Sequence, residues 1–190
     1  EYRKADTAEK ILTEQIAKGE EELSYIDSVF DALTRTQSED EVNELRQELS
    51  EQGYIKSSKL KGKPPKSRPP LEFTSPDGFT VLVGRNNKQN DRLTTKTADK
   101  TDIWLHTKDI TGSHVIIRAE GKEIPDSTVM WAARVAAFHS RAKNSSQVPV
   151  DYVPVRFVKK PSGAKPGMVI FTNNRTLYVT PLDPNGGDYN

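Results

Sequence analysis

Between Ala5 and Leu33 the large apolar residues fall at Leu12, Ile16, Leu23, Ile26, Phe30 and Leu33, in steps of four and three, with one slot of the series taken by Gly19. That spacing is a heptad seam, and with charged residues over the other face it predicts a coiled-coil helix. At a rise of about 1.5 Å per residue the span is about 42 Å, long for a small domain, so the partner helix is expected upstream. Glycine at a seam position costs about 1 kcal/mol relative to alanine and marks either a bend or a close helix contact. Next, Ser38-Glu39-Asp40-Glu41 fits a capping box, in which the hydroxyl and the carboxylate satisfy free backbone N–H groups. Val42, Leu45 and Leu49 follow at helical spacing, which predicts a second, shorter helix ending at Gly53.

From Lys56 to Pro70 there is no period: six basic residues, no acidic ones and four prolines predict an extended, flexible linker. Beyond it the pattern becomes short strands separated by turns. Strands are predicted at 71–74, 79–84, 103–106 and 114–118, with Ser75-Pro76-Asp77-Gly78 as the turn of a hairpin. One helix is predicted from Asp126 or Ser127, burying Val129, Ala133, Ala136 and Ala137 and fraying at Lys143-Asn144. Three further strands are expected at 152–159, 168–172 and 176–181. The fold class is therefore α+β: a coiled-coil and helical segment (1–55), a basic linker (56–70), and an α+β domain with a largely antiparallel sheet and one main helix (71–190).

Charge sharpens that division. The chain of 190 residues has a net charge of only +1, yet residues 1–55 carry 15 acidic against 6 basic side chains and residues 56–190 carry 22 basic against 12 acidic. A basic second half suits an anionic partner, nucleic acid first, because Lys and Arg gain affinity by displacing counterions from phosphates; heparin or acidic lipid fits the same charge. There is no cysteine, so disulfides and thiolate metal sites are ruled out. No apolar run is long enough to span a bilayer and no signal segment opens the chain, so a cytoplasmic protein is expected. The opening Glu1-Tyr2-Arg3-Lys4, already helical in character, suggests a piece of something longer.

The densest polar cluster runs from Gly84 through Arg85, Asn86, Asn87, Lys88, Gln89 and Asn90 to Asp91. Its side chains either shape an Asx-turn loop or bind, with Arg and Lys on phosphate and Asn on base edges. In Asp102-Ile103-Trp104-Leu105-His106, strand alternation puts Asp102, Trp104 and His106 on one face, which predicts a wet face where Trp104 can stack on a base; the plainer reading is a Trp packed over a sheet edge. His106 and His114, with Asp102 and Asp109, invite a metal or general-base reading. Their separation by eight residues across a turn matches no preorganised spacing, and no catalytic constellation is complete, so no enzyme, metal or cofactor is expected. Lys159, Lys160 and Lys165 form a second basic stretch around a turn, which with Lys56 to Arg68 either tracks phosphate or solvates two loops.

Taken together, Gly84-Arg85-Asn86-Asn87 with Gln89-Asn90-Asp91, Asp102-Ile103-Trp104-Leu105-His106, Gly112-Ser113-His114-Val115-Ile116, Val150-Asp151-Tyr152 and the 159–167 segment resemble the RNA-binding (NFACT-R) domain of the NFACT family. The helical half is similar to that family's middle region. Thr111 departs from the pattern, which usually has proline before Gly-Ser-His, and changes the rigidity of that turn. The resemblance implies an RqcH-like role: binding the large ribosomal subunit with an obstructed peptidyl-tRNA, contacting rRNA or tRNA, and supporting a C-terminal alanine tail. It implies one RNA-contacting surface of Arg85, Asn86, Asn87, Lys88, Asn90, Asp91, Lys96, Trp104, His106, Lys108, Ser113, His114, Lys159, Lys160 and Lys165. Some members of the family act as surface adhesins, which leaves a second implied reading: binding of fibronectin or fibrinogen at the cell surface without a signal peptide. Dimerisation through the coiled-coil seam is a further expectation.

Overall fold

The computed structural model describes residues 2–56 and 67–186. The heptad region forms one helix, α1 (Tyr2–Thr34), of 33 residues. Gly19 lies inside it with nothing within 4 Å of the place a Cβ would take, so no close helix contact accounts for that glycine among the described residues. The helix does not bury the predicted seam. Leu12, Ile16, Leu23, Phe30 and Leu33 are 42–71% exposed, whereas Tyr25, Val29 and Ala32 are buried against Leu45 of α2 (Glu39–Glu51), with Ile26, Leu49 and Tyr54 around them. The buried stripe also steps by four and three, but it consists of an aromatic and two small residues. The small ones let the second helix approach closely, while the larger aliphatic residues on the neighbouring stripe stay uncovered.

α2 starts where the capping box predicts: Ser38 Oγ accepts the Glu41 N–H at 3.3 Å, and the Glu41 carboxylate reaches back to the Gln37 N–H at 2.6 Å. It closes through Gly53 in the left-handed region, φ 80°. Most of the predicted linker, residues 57–66, lies outside the described residues. Its last part is pinned, since the Arg68 carbonyl accepts from Gln89 at 2.8 Å and the Pro69 carbonyl from Arg85 at 3.0 Å.

The second half is built on a six-stranded antiparallel sheet in the order β1-β2-β4-β3-β5-β8. The strands are β1 (Leu71–Thr74), β2 (Thr80–Val83), β3 (Ile103–Thr107), β4 (Val115–Ile117), β5 (Val148–Pro154) and β8 (Arg175–Val179); β6 (Val158–Lys159) and β7 (Ile170–Phe171) form a separate two-stranded ribbon. Alternation along the strands divides the core. Val81, Val83, Leu105, Val115 and Ile117 face α4 (Asp126–Phe138), which buries Val129, Ala133, Ala136 and Ala137 as its pattern predicts. Leu82, Trp104, Ile116 and Val153 face the other way and are covered by Leu93, Val155, Phe157 and Phe171. Both faces are therefore dry at the centre, and Trp104, expected on a wet face, is buried. Among the described residues there are four α-helices and eight strands, an α+β arrangement, and no helix long and apolar enough to cross a membrane.

Several boundaries moved for tertiary reasons. α4 stops at Phe138 because Ser140 bridges to Gly112 and the Arg141 N–H reaches the Thr111 carbonyl at 2.9 Å. The strand expected at 152–159 begins at Val148 and leaves the sheet after Pro154, where the Val155 N–H donates to the Asp102 carbonyl at 2.9 Å and the chain turns. The cluster 84–91 is not a plain loop: Asn86 caps α3 (Asn87–Arg92), which continues as a wider turn over Leu93–Thr97. Asn86 Oδ1 accepts the Gln89 N–H and Gln89 Oε1 accepts the Arg85 N–H, each at 2.9 Å, a polar counterpart of the capping box.

Candidate nucleic-acid interface

Gly84 sets the position of the polar cluster. A Cβ there would collide with Asn90 Oδ1, the atom that accepts the His114 N–H at 3.1 Å, while Gly84 itself donates to the His114 carbonyl. From this anchor α3 turns its N-terminal side chains toward the acidic helices. Arg85 contacts Glu41 at 3.3 Å, Asn86 Nδ2 donates to Glu44 at 3.0 Å, Asn87 Nδ2 donates to Ser28 Oγ at 2.7 Å, and Lys88 pairs with Glu51. Arg141 pairs with Asp27 at 2.6 Å, and Arg35 bridges Asp31 at 2.7 Å to Ser113 Oγ at 2.7 Å. The Arg141 hydrogen bond holds the Asp27 carboxyl below the usual carboxylate range, whereas burial raises that of Asp31 in spite of Arg35.

Arg85, Asn86, Asn87, Lys88 and Ser113, expected on the RNA-contacting surface, are thus each hydrogen-bonded or ion-paired to the helical segment that precedes the sheet. Asn90 is buried beneath Gly84, and Asp91 holds Lys160 at 2.7 Å and the Gly167 N–H at 3.1 Å. Lys165 Nζ lies 4.8 Å above the Tyr54 ring and 5.5 Å from that of Tyr25. Much of the opposite charge on the two halves is thus matched within the chain.

Trp104 is 1% exposed and cannot stack on a base as placed. Its ring lies parallel to His106 at 5.8 Å, meets the edge of His114 at 5.3 Å and touches Phe171 at 4.8 Å. His114 is buried with Nδ1 2.8 Å from Thr94 Oγ1; burial and the neighbouring His106 push its pKa down to about 3, and burial lowers that of His106. Both imidazoles are therefore neutral at neutral pH. Asp102 is fully buried as a brace, accepting the Ala119 N–H at 2.8 Å and the Asp99 N–H at 2.9 Å beside Arg118. Among the described residues no group of three His, Asp or Glu is placed to hold a metal ion. The Trp104–His106–His114 cluster forms the floor of a cavity of about 960 Å³ between α1 and the sheet, walled by Ser24, Asp151, Met168 and Phe171.

What remains open to an anion is a different set. Lys96, Lys108 and Lys159 are exposed with no ion pair among the described residues. Leu93, which opens the turn carrying Lys96, belongs to the same hydrophobic cluster as Phe157 and Val158, the residues that precede Lys159. Two exposed cations that the sequence reading passed over, Lys100 and Arg156, join them: the Arg156 N–H donates to the Lys100 carbonyl at 3.2 Å. The signal for them was only a basic residue on each side of a strand, which many exposed loops share.

Residues 70–173 match the family model described as the NFACT protein RNA binding domain, and residues 1–68 match that of the NFACT N-terminal and middle domains. The chain is 46% identical over 183 residues to the Rqc2 homolog RqcH of Bacillus subtilis (strain 168), a match covering 95% of this chain and 32% of that protein. It is 40% identical to the Rqc2 homolog RqcH of Streptococcus suis (strain 05ZYH33), covering 96% and 33%. The chain thus spans about a third of the length of the curated relatives it matches. The solved structure of the C-terminal of the fibronectin/fibrinogen-binding protein from Streptococcus suis is similar at a TM-score of 0.88 and 38% identity, over 96% of this chain and 73% of that one. The chain belongs to the NFACT family, with the family's RNA-binding domain docked on the helices that precede it.

Proposed function

We propose that this chain is the non-catalytic, RNA-facing part of an RqcH-like ribosome quality control factor in the cytoplasm. In that role the whole protein binds large ribosomal subunits carrying a stalled peptidyl-tRNA and supports C-terminal alanine tailing. The observation that carries the reading is the face of Lys96, Lys100, Arg156 and Lys159, exposed without carboxylate partners in a domain of an RNA-binding family. Of the other cations of the predicted surface, Arg85, Lys88 and Lys160 are held by Asp or Glu and Lys165 lies over aromatic rings, while Lys108 stands apart at the cavity, so this group is where phosphate meets uncompensated charge. The exposed stripe of α1 is assigned to a coiled-coil seam, through which two copies of this chain would pair. The test is binding of the 190-residue chain to ribosomal RNA across a salt series. Reversal of Lys96, Lys100 and Lys159 to glutamate is expected to weaken binding and to flatten the slope of log affinity against log salt by about 2, at about 0.7 per phosphate contact on single strands. An affinity indifferent to salt, or a slope unchanged in the triple variant, rejects this face.

A second reading, an adhesin for fibronectin or fibrinogen, rests on the name of the Streptococcus suis structure it resembles. It predicts saturable fibronectin binding that survives nuclease treatment.

A further inference from the structure

The cavity between α1 and the sheet is separate from the basic face, none of whose four cations lines it. In the β6–β7 ribbon Lys159 pairs with Ile170 and Val158 with Phe171, so the residue next to Ile170 is the one whose ring lines the cavity. Neighbouring residues of a strand point to opposite faces, so Phe171 looks into the cavity while Lys159 and Ile170 project from the other side of the ribbon.

The chemistry of the cavity is unsuited to phosphate. Asp109, Asp151 and Glu20 line it against the single cation Lys108, and the two imidazoles at its floor are uncharged. It is suited to something flat, neutral and edged with hydrogen-bonding groups. Phe171, Met168 and the half-buried ring of His106 offer apolar and aromatic surface; Asp151, held by Thr176 at 2.6 Å, offers an acceptor; and the buried Trp104 Nε1–H has no acceptor of its own. At about 960 Å³ the cavity is within the range of about 300–1,000 Å³ usual for small-ligand sites.

We propose that this cavity receives a single unstacked nucleobase of a bound RNA strand. The inference rests on the RNA-binding reading and gives it what the basic face alone lacks, a place where a base rather than a phosphate is bound. His106 supplies the stacking ring, its far face backed by Trp104, and α1 closes the pocket from the side with Ser24 and Ser28. Because one wall belongs to α1 and the other to the sheet, the base bridges the two halves of the chain.

Fluorescence anisotropy tests this with the whole 190-residue chain and three ten-nucleotide probes: oligouridine, oligoadenosine and an abasic ribose-phosphate chain of the same length. The base-bearing probes are expected to bind about tenfold more tightly than the abasic one, the order given by stacking one base on a protein ring. Two variants should bring that ratio close to one: His106→Gln, which removes the stacking ring, and Ser24→Leu, which narrows the cavity from an exposed position on α1 and leaves the sheet domain untouched. A ratio near one in the unaltered chain, or a tenfold ratio that survives both variants, overturns the pocket. If all probes then still bind in a salt-dependent manner, the RNA-binding reading stands without it, whereas failure of every probe to bind overturns both.

Discussion

Replacing Arg35 by methionine tests whether the two halves are held together by the matched charges described above. Its guanidinium donates to Ser113 Oγ at 2.7 Å, to the His139 carbonyl at 3.1 Å and to Asp31 Oδ2 at 2.7 Å. Methionine keeps most of the apolar stem but leaves Asp31, 6% exposed, as an unpaired buried carboxylate. Removing one partner of a fully buried pair costs about 3–5 kcal/mol, and because Arg35 retains some solvent contact the expected loss is about 2–4 kcal/mol at neutral pH. The loss should depend on pH. Burial already holds the folded-state pKa of Asp31 above its ordinary value, and the Arg35 charge is what opposes that shift. Without Arg35 the pKa rises further, so the folded state binds a proton more tightly than the unfolded one, and the destabilisation shrinks as pH falls through the folded-state value. Urea unfolding of both proteins at about pH 7 and about pH 5 measures it, and adding Asp31→Asn to the variant should restore part of the loss at the higher pH. A loss below about 0.5 kcal/mol at neutral pH, or one equally large at both pH values, would refute the reasoning.

Gly84→Ala should lower stability by about 1–3 kcal/mol in thermal melts, because the new Cβ meets the Asn90 carboxamide and, at 3.1 Å, its backbone nitrogen; a neutral effect would show that the Asn90–His114 tie is not the constraint. His139 is held neutral, its pKa pushed down to about 4 by burial, so the unfolded chain takes up its proton first and stability drains away as pH falls from about 6.5 toward that value. The His139→Gln variant is accordingly expected to lose less stability than the parent over that window in urea titrations, and an identical pH profile would contradict this.

How much of this was legible in the residues varied from element to element. The start and buried face of α4, the hairpin of β1 and β2, and the start of α2 were read correctly because period, turn chemistry and capping are local. The short helix α3 was missed although Asn86 and Gln89 carry a capping signal, since its six residues are all polar and have no apolar period to mark a helix. The strand expected to start at 152 starts at Val148 and, though it contains Pro149 and Pro154, pairs with β3 on one side and β8 on the other. The assignment of Trp104 to a wet face followed from strict alternation, which tells which residues share a face but not whether something else covers it; Leu93, Phe157 and Phe171, remote in sequence, do.

By itself the sequence determined the α+β class, the family and the opposite charges of its first 55 and remaining residues, all of which depend on composition or on neighbours a few residues apart. The tertiary structure decided which cations face solvent. Arg85 and Lys88 look like Lys96 and Lys159 along the chain, yet the first two lie against Glu41 and Glu51 and the others do not. A side chain's charge is written in the sequence, but its partner is fixed only when distant segments are brought together, because electrostatic pairing acts over a few ångströms of space and not along the chain.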